Sequence, residues 1–505
     1  MAGSVKSEVE LKLEVDPKSA RRLKRHALLE AAVARCSPQL TIYYDTAKGT
    51  LRKHGYSLRV RSANGGFVQT VKPTTETAGL FARDEWESPV GSIEPDLEKL
   101  AGLPLEPLWR AGKLRKLRPV VRSEVQRTSW HVEEGDSAFQ IDLDEGEISG
   151  SGKSQRLCEL ELELLDGDAA ELIRAARRLA DRVPMRVGVL SKAERGFALA
   201  EGTLGRVHKA GPVAANDRMT IGDAFTIVAH ACIRHYRLNE PLVIATQKPA
   251  VLHQSRVAMR RLRSAFTLFR PAIRDSEYGR LREEVRWFTS QLGDARNLDV
   301  YLERELPEDE RRALTDRRER AYRRVIRAMG SQRLRDLMLD LVGWVGVGDW
   351  RSNKRAFRPI APFAAKRLEK LWSTIAGPAA EIAELEEEDR HRLRIQVKKL
   401  RYAVEFLRGV FPEEAKRQKR FAAAVEGLQE ALGKLNDLVT ARTLALPDEA
   451  YPAEEQDEGE LVAEAERYAR QLTRTGPFWA TGAVVEGKKG RPSRSVARQT
   501  RYQAA

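Results

Sequence analysis

The sequence predicts an α+β multidomain protein: an N-terminal closed antiparallel β-barrel with covering helices, then an all-α domain made of a duplicated helical unit. Three observations carry this. Over residues 1–200, strand-length segments alternate apolar and charged residues with period 2. Residues 252–269 return as 390–407 in a helical pattern. Charge divides at the same boundary: residues 1–200 hold 32 basic against 30 acidic residues, whereas 201–505 hold 56 against 43, so the second part carries +13 of the formal +15. The boundaries read from these patterns are a barrel domain over 1–200, a Gly/Ala/Pro linker over 201–218, a helical domain over 219–478 and a basic tail over 479–505.

A chain of 505 residues with 42% hydrophobic residues has apolar surface for more than one core. Cys36, Cys158 and Cys232 are too few and too scattered for a disulfide framework or a C-x-x-C site. MAGSVKSEVELK lacks the apolar stretch of a signal peptide, and no run of about 18 uncharged apolar residues occurs. The expectation is a soluble, cytoplasmic protein with no membrane partner. Excess positive charge after residue 200 points to a polyanion.

The first strand, EVELKLEV (8–15), places Val9, Leu11, Leu13 and Val15 on one face and Glu8, Glu10, Lys12 and Glu14 on the other. After a helical candidate at 17–33 come TIYYDT (41–46), YSLRVRS (56–62), FVQTVKP (67–73), RDEWES (83–88), RTSWHVEE (127–134), FQIDLDEGEI (139–148) and CELELEL (158–164), separated by Gly, Pro and Asn signals. A second helical candidate spans 168–182. Arg59 and Arg61 share a face, as do Asp142 and Asp144, and Glu159, Glu161 and Glu163. An open sheet in water would mix Thr, Ser, Lys and Gln on its polar face. Strands offering carboxylates beside strands offering arginine fit better a barrel closed around its charges, its apolar faces under helices. Inward glutamates then need cations and inward arginines an anion. A phosphate chelated to Mg²⁺ or Mn²⁺ supplies both.

Glu8–Glu10–Lys12 in ExExK spacing, Arg59–Arg61, an LDEG turn at 143–146, CELELEL and LSKAERGF (190–197) together resemble the CYTH domain of triphosphate tunnel metalloenzymes over nearly all of residues 1–200. The resemblance implies a closed tunnel of about eight antiparallel strands and metal-dependent hydrolysis of triphosphate compounds. By position it implies metal ligands Glu8, Glu10, Glu159 and Glu161 with Asp144 in support, Asp142 being the alternative on the same face. It implies a phosphate-gripping set of Arg59, Arg61, Lys72, Arg127 and Lys192. Catalytic positions are Glu10, Glu161 and Lys12, the last contacting phosphate or positioning water. Lys192 has a second reading as a strand-end residue, and Lys72, beside Pro73, as a solvent-exposed one. Arg83, Glu85 and Glu87 share a face and read as ion pairs at the tunnel mouth.

In the second part, LHQSRVAMRRLRSAFTLF (252–269) aligns without gaps to RHRLRIQVKKLRYAVEFL (390–407), and QLGDARNLD (291–299) echoes ALGKLNDLV (431–439). Met259, Leu262, Phe266 and Phe269 recur at core spacing, matched by Val397, Leu400, Val404 and Leu407. On another face His253, Arg256, Arg260 and Arg263 are matched by His391, Arg394, Lys398 and Arg401. A solvated face needs charge of either sign, yet both copies keep positive charge at the same offsets. Like charges one turn apart repel, so an anion best explains the stripe. The pattern resembles a CHAD domain, which implies a helical bundle with a basic groove for inorganic polyphosphate. DRRERAYRRVIRAMGSQRLRDL (316–337) reads as a long surface helix.

The function these readings predict is hydrolysis of inorganic triphosphate to pyrophosphate and phosphate with Mg²⁺ or Mn²⁺, joined to polyphosphate binding. One alternative is another chemistry of the same fold, a thiamine or nucleoside triphosphatase or an adenylate cyclase. A different class is a non-enzymatic polyphosphate- or RNA-binding protein. Nucleic acid is the weaker partner because RNA readers interleave exposed aromatics with basic residues, whereas Phe266, Phe269, Trp287 and Phe288 sit at core spacing.

Overall fold

A computed structural model describes residues 4–63, 65–74, 77–444 and 453–480. The basic tail read at 479–505 lies, beyond Ala480, outside the described residues. Among the described residues the eight alternating segments form β1 (Ser4–Val15), β2 (Arg35–Asp45), β3 (Tyr56–Ala63), β4 (Gly66–Pro73), β5 (Leu80–Val90), β6 (Arg118–Glu134), β7 (Ser137–Gly150) and β8 (Lys153–Asp166), and a short ninth strand that the alternation did not mark is β9 (Met185–Val187). They make one antiparallel sheet in the order β5-β4-β3-β2-β6-β7-β8-β1-β9. β5 also pairs with β1, from Ser4 opposite Glu87 to Leu11 opposite Leu80.

Helices of eight residues or more are α1 (Pro17–Lys24), α2 (Ala169–Arg182), α3 (Lys192–Ala200), α4 (Ile221–Thr246), α5 (Pro249–Ile273), α6 (Tyr278–Gln291), α7 (Gly293–Tyr301), α8 (Glu308–Gly330), α9 (Gln332–Val347), α10 (Ile360–Ser373), α11 (Glu387–Leu407), α12 (Ala415–Leu444) and α13 (Ala453–Thr475). The candidate helix 17–33 is α1 plus a single turn, Ala27–Glu30. The stretch 316–337 is two helices, broken where Ser331 ends α8 and its hydroxyl accepts from Leu334 N to cap α9.

Period 2 does what it predicts. Leu11, Leu13, Leu160, Leu162, Ile141 and Leu143 are buried on one side of the sheet, and α2 packs there with Leu172, Ala175, Ala176 and Leu179. A segment the alternation did not mark, 97–117, covers the β3–β4 region with Leu100, Leu103, Leu105, Leu108 and Leu114 against Leu58, Val60 and Val71. LDEG is not a turn: it lies inside β7, with Gly146 opposite Val125. A Cβ there would stand 2.1 Å from the Glu124 carbonyl oxygen, so the position needs glycine for close backbone approach.

The chain divides into two compact units, Met1–Ala214 with Thr220–Arg358, and Ala215–Met219 with Pro359–Ala505. The first holds the sheet and α1–α9; the second holds α10–α13. In the first, α4 and α9 pack on the sheet domain: Arg177 of α2 pairs with Asp340, and Gly343 and Gly346 of α9 lie against Ile173 and Leu80. Among the described residues no helix is long and apolar enough to cross a membrane.

Candidate functional site

Strand register assembles the charged face. Arg127 stands opposite Asp144, and Asp144 opposite Glu159; one row away, Asp142 faces Glu161, and Glu161 faces Lys12. Across the sheet, Tyr43 faces Arg59, Arg59 faces Thr70, and Thr70 faces Glu87. A one-residue slip would send every one of these groups to the other face. They converge on a cavity of about 220 Å³ lined by Glu10, Lys12, Arg59, Arg61, Lys72, Arg127, Asp142, Glu161, Glu163 and Lys192, with Tyr43, Ser57, Glu85 and Ser191.

The acidic side is dense. One carboxylate oxygen from each of Asp144, Glu159 and Glu161 lies within 4.8 Å of the others, a spacing that suits a metal ion. Arg127 braces the group: Nε donates to Asp144 Oδ1 at 2.7 Å, Nη2 to Asp144 Oδ2 at 2.6 Å and to Glu161 Oε2 at 2.9 Å, and Nη1 to Asp142 Oδ2 at 2.5 Å. Lys12 Nζ donates to Glu161 Oε1 at 2.7 Å and lies 3.9 Å from Glu10. Lys192 Nζ reaches Asp144 at 2.9 Å, Glu161 at 2.8 Å, and Glu159. The cations that the inward glutamates were expected to need are supplied in part by the chain itself. Register puts Lys12, Arg127 and Lys192 among the carboxylates of Glu10, Asp142, Asp144, Glu159 and Glu161. Burial works to raise the Glu161 carboxyl, but Lys12, Lys192 and Arg127 outweigh it and hold it well below the ordinary range. Burial likewise works against the charge on Lys192, and Asp144, Glu159 and Glu161 override it, raising its pKa well above normal.

On the basic side, Glu85 bridges two of the expected phosphate-gripping residues, accepting from Arg59 at 3.0 Å and pairing with Lys72 at 2.5 Å. Lys72 is buried and not a solvent-exposed strand end, and Glu85 is a buried bridge rather than a peripheral ion pair. Arg61 differs: burial first, then the nearby Arg59 and Arg127 charges, lower its pKa. Its Nε is buried with no hydrogen-bond partner among the described residues. Lys192 does not end a strand. It is the first residue of α3, whose cap Ser191 accepts from Glu194 N at 3.2 Å while Glu194 accepts from Ser191 N at 2.8 Å.

Of the residues singled out in sequence, Glu10, Lys12, Arg59, Arg61, Lys72, Arg127, Asp142, Glu161, Glu163 and Lys192 meet at the cavity, with Asp144 and Glu159 in the acidic group behind it. Asp142 takes Gln140 and Arg127 and stands outside the three-carboxylate group that contains Asp144. The side chains of Glu8 and Arg83 lie outside the described residues. Glu14, on the same face of β1, does not join the cavity but pairs with Arg195 and Arg237. Tyr43, Ser57 and Ser191 also line the cavity; Ser57 shares the face of Arg59 and Arg61 at period 2, whereas Tyr43 comes in only through its register opposite Arg59.

Of the two helical stripes, one lies on α5 of the first unit and one on α11 of the second. The apolar positions Met259, Leu262, Phe266, Phe269, Val397, Leu400, Val404 and Leu407 are all buried. On α5, Arg256 and Arg260 are half-buried and Arg263 is exposed. On α11, His391 Nδ1 is 2.6 Å from Asn436 Oδ1, Arg401 donates to Glu426 at 2.9 Å, and Arg394 lies 3.9 Å from Asp437. The aligned pair Arg261 and Lys399 parts company: Arg261 is 1% exposed, Lys399 exposed. Trp287 is half-buried rather than core, with the Arg333 guanidinium 3.9 Å from its ring centroid.

The family model of the CYTH domain matches residues 6–197, and that of the CHAD domain residues 227–446. The chain joins a CYTH domain to a CHAD domain. An inorganic triphosphatase of Haemophilus influenzae is 29% identical over 196 residues, 38% of this chain and 54% of that protein, so the match spans about half of the relative's length. Among solved structures, a CHAD domain from the plant Ricinus communis is 27% identical, with 55% of this chain and 98% of that chain covered and a TM-score of 0.44. A Hippeastrum protein, described as an adenylyl cyclase candidate with a dominant triphosphatase activity, is 21% identical, with 39% and 95% covered and a TM-score of 0.28.

Proposed function

We propose that this CYTH–CHAD protein hydrolyses inorganic triphosphate to pyrophosphate and phosphate with Mg²⁺ or Mn²⁺, inside a sheet closed into a tunnel, and that its CHAD helices bind inorganic polyphosphate. The second pairing of β5, with β1, supports the closure. One observation carries the chemistry: on two side chains of opposite charge at the same site, one buried atom each lacks a hydrogen-bond partner among the described residues. Glu159 Oε2 is buried with no hydrogen-bond donor, and Arg61 Nε is buried with no acceptor, among the described residues. An anionic oxygen without a donor suits a cation, and a guanidinium N–H without an acceptor suits a phosphate oxygen.

In this reading Asp144, Glu159 and Glu161, with Glu8 and Glu10, would hold the metal. When bound, it would neutralise phosphate oxygens and acidify an attacking water. Arg59, Arg61, Lys72, Arg127 and Lys192 bind the phosphate chain, Glu85 fixing the Arg59 and Lys72 head groups relative to each other. Lys12, held on Glu161, presents a charge at the reacting end. On the CHAD side, the stripes His253, Arg256, Arg260, Arg263 and His391, Arg394, Lys398, Arg401 would take a polyanion. Burial of Phe266, Phe269 and Phe288 favours a featureless polymer over nucleic acid. A cytoplasmic location, without a membrane partner, belongs to the same proposal.

The test is phosphate release by the purified full chain from triphosphate, ATP, thiamine triphosphate and long polyphosphate with Mg²⁺ or Mn²⁺. Triphosphate is expected to be fastest and chelator to abolish turnover. ATP faster by about tenfold or more would overturn the inorganic preference, and no turnover of any triphosphate would overturn the enzyme.

A further inference from the structure

Helix α4 is the first helix of the all-α part of the chain, yet three of its residues, spaced i, i+4 and i+7, hold the segments on which the two cavity lysines sit. Arg234 donates to the Val189 carbonyl and, at 2.7 Å, to Glu194 Oε1. The other oxygen of Glu194 accepts from both the backbone N–H and the hydroxyl of Ser191, each at 2.8 Å, closing the cap that starts α3 at Lys192. Arg237, 3% exposed, donates to the Val187 carbonyl at 2.9 Å and to Glu14 Oε2 at 3.0 Å. Val187 pairs with Leu13, and Gly188 N donates to the Lys12 carbonyl at 2.8 Å. His230 Nδ1 accepts from Ala78 N at 3.1 Å, beside Gly79, whose carbonyl accepts from Lys12 N at 2.8 Å.

The backbone at Ala78, Val187 and Val189 and the side chains of Glu14 and Glu194, which lie around Lys12 and lead into Lys192, thus meet one face of α4. We propose that α4 is a positioning element of the tunnel site: Arg234 sets Lys192 through the Glu194–Ser191 cap, and His230 and Arg237 fix the backbone around Lys12. The proposal rests on the triphosphatase reading of the cavity. It makes a helix of the CHAD side part of the tunnel's support, because a lysine that must meet a phosphate oxygen is sensitive to displacements of about 1 Å.

Two measurements on the full chain test it. Amide hydrogen exchange needs no turnover: Arg234→Ala is expected to raise exchange at residues 190–195 at least about tenfold while β8 stays protected. Unchanged protection at 190–195 overturns the proposal, and so does loss spread equally through β8, which would make Arg234 a general support of the fold. In triphosphate turnover, Arg234→Ala is expected to lower kcat about tenfold, with partial recovery in Arg234→Lys. Combined with Lys192→Ala it should add less than about twofold to the loss caused by Lys192→Ala alone; losses that multiply overturn the proposal. A wild-type chain without turnover would instead sink the triphosphatase reading and leave exchange to decide the positioning.

Discussion

Arg61 and Lys12 line the same cavity in opposite surroundings. Lys12 is raised in pKa because three glutamates outweigh its burial, whereas Arg61 has burial and two neighbouring guanidiniums against it. Arg61 is therefore the residue with most to gain from an incoming phosphate. Arg61→Ala should raise KM for triphosphate by about tenfold or more with a smaller change in kcat, read from initial rates; an unchanged KM would remove it from the binding set. His230 and His235 are pushed down to about 4, by burial first and then by Arg351 and Arg261 respectively. The unfolded chain takes up these protons near the ordinary value of 6.5, the folded protein only near 4. Between those values the unfolded state binds more protons, so stability falls as pH falls, by up to about 1.4 kcal/mol per pH unit for each ring. Denaturant titrations between pH 7 and pH 5 should show this slope, and His230→Gln should reduce it. At this scale the site was largely legible, because Glu10, Lys12, Arg59, Arg61, Glu159 and Glu161 announce their face through period 2. Glu85 was legible in position but not in role, since its partners Arg59 and Lys72 lie on other strands.

Elements convert that period into a site only through register, and glycine guards the register at one point. With Glu124 O only 2.1 Å from where its Cβ would lie, Gly146→Ala must push β6 and β7 apart beside the Arg127–Asp144 pair. The expected cost is about 1–3 kcal/mol, together with loss of turnover beyond what stability explains; thermal unfolding and kinetics on the same preparation check both. The sequence marked this residue as a turn because Asp-Glu-Gly resembles turn chemistry, and only cross-strand contact distinguishes the two. The start of α3 is, by contrast, a local signal: SKAE (191–194) has the S-x-x-E spacing of a capping box. Helical elements were more legible. The buried stripes on α5 and α11 follow the spacing read from the duplication, although Arg261 shows that an aligned charge need not share an environment.

Across the whole molecule, +13 of the net charge lies after residue 200, while the three-carboxylate group lies before it. Cleavage and polymer binding should accordingly separate. Changing Arg256, Arg260, Arg263, Arg394, Lys398 and Arg401 together to Gln should weaken retention of long polyphosphate and flatten its salt dependence, while triphosphate turnover changes less than about twofold; filter retention across a salt series reads this out. The boundary of function is not the boundary of pattern, however. Glu14 meets Arg237 across 223 residues, and His230 meets Ala78 across 152. Such contacts carry no sequence period, which is why the first compact unit extends to Arg358 although alternation stops near residue 200. The central claim, that this carboxylate face holds the metal for triphosphate hydrolysis, is tested most directly by the turnover of Glu161→Gln at saturating Mg²⁺. The amide keeps the shape and removes the charge that draws the cation, so kcat should fall about a hundredfold or more with the sheet still folded. Near-wild-type turnover in that variant would contradict it.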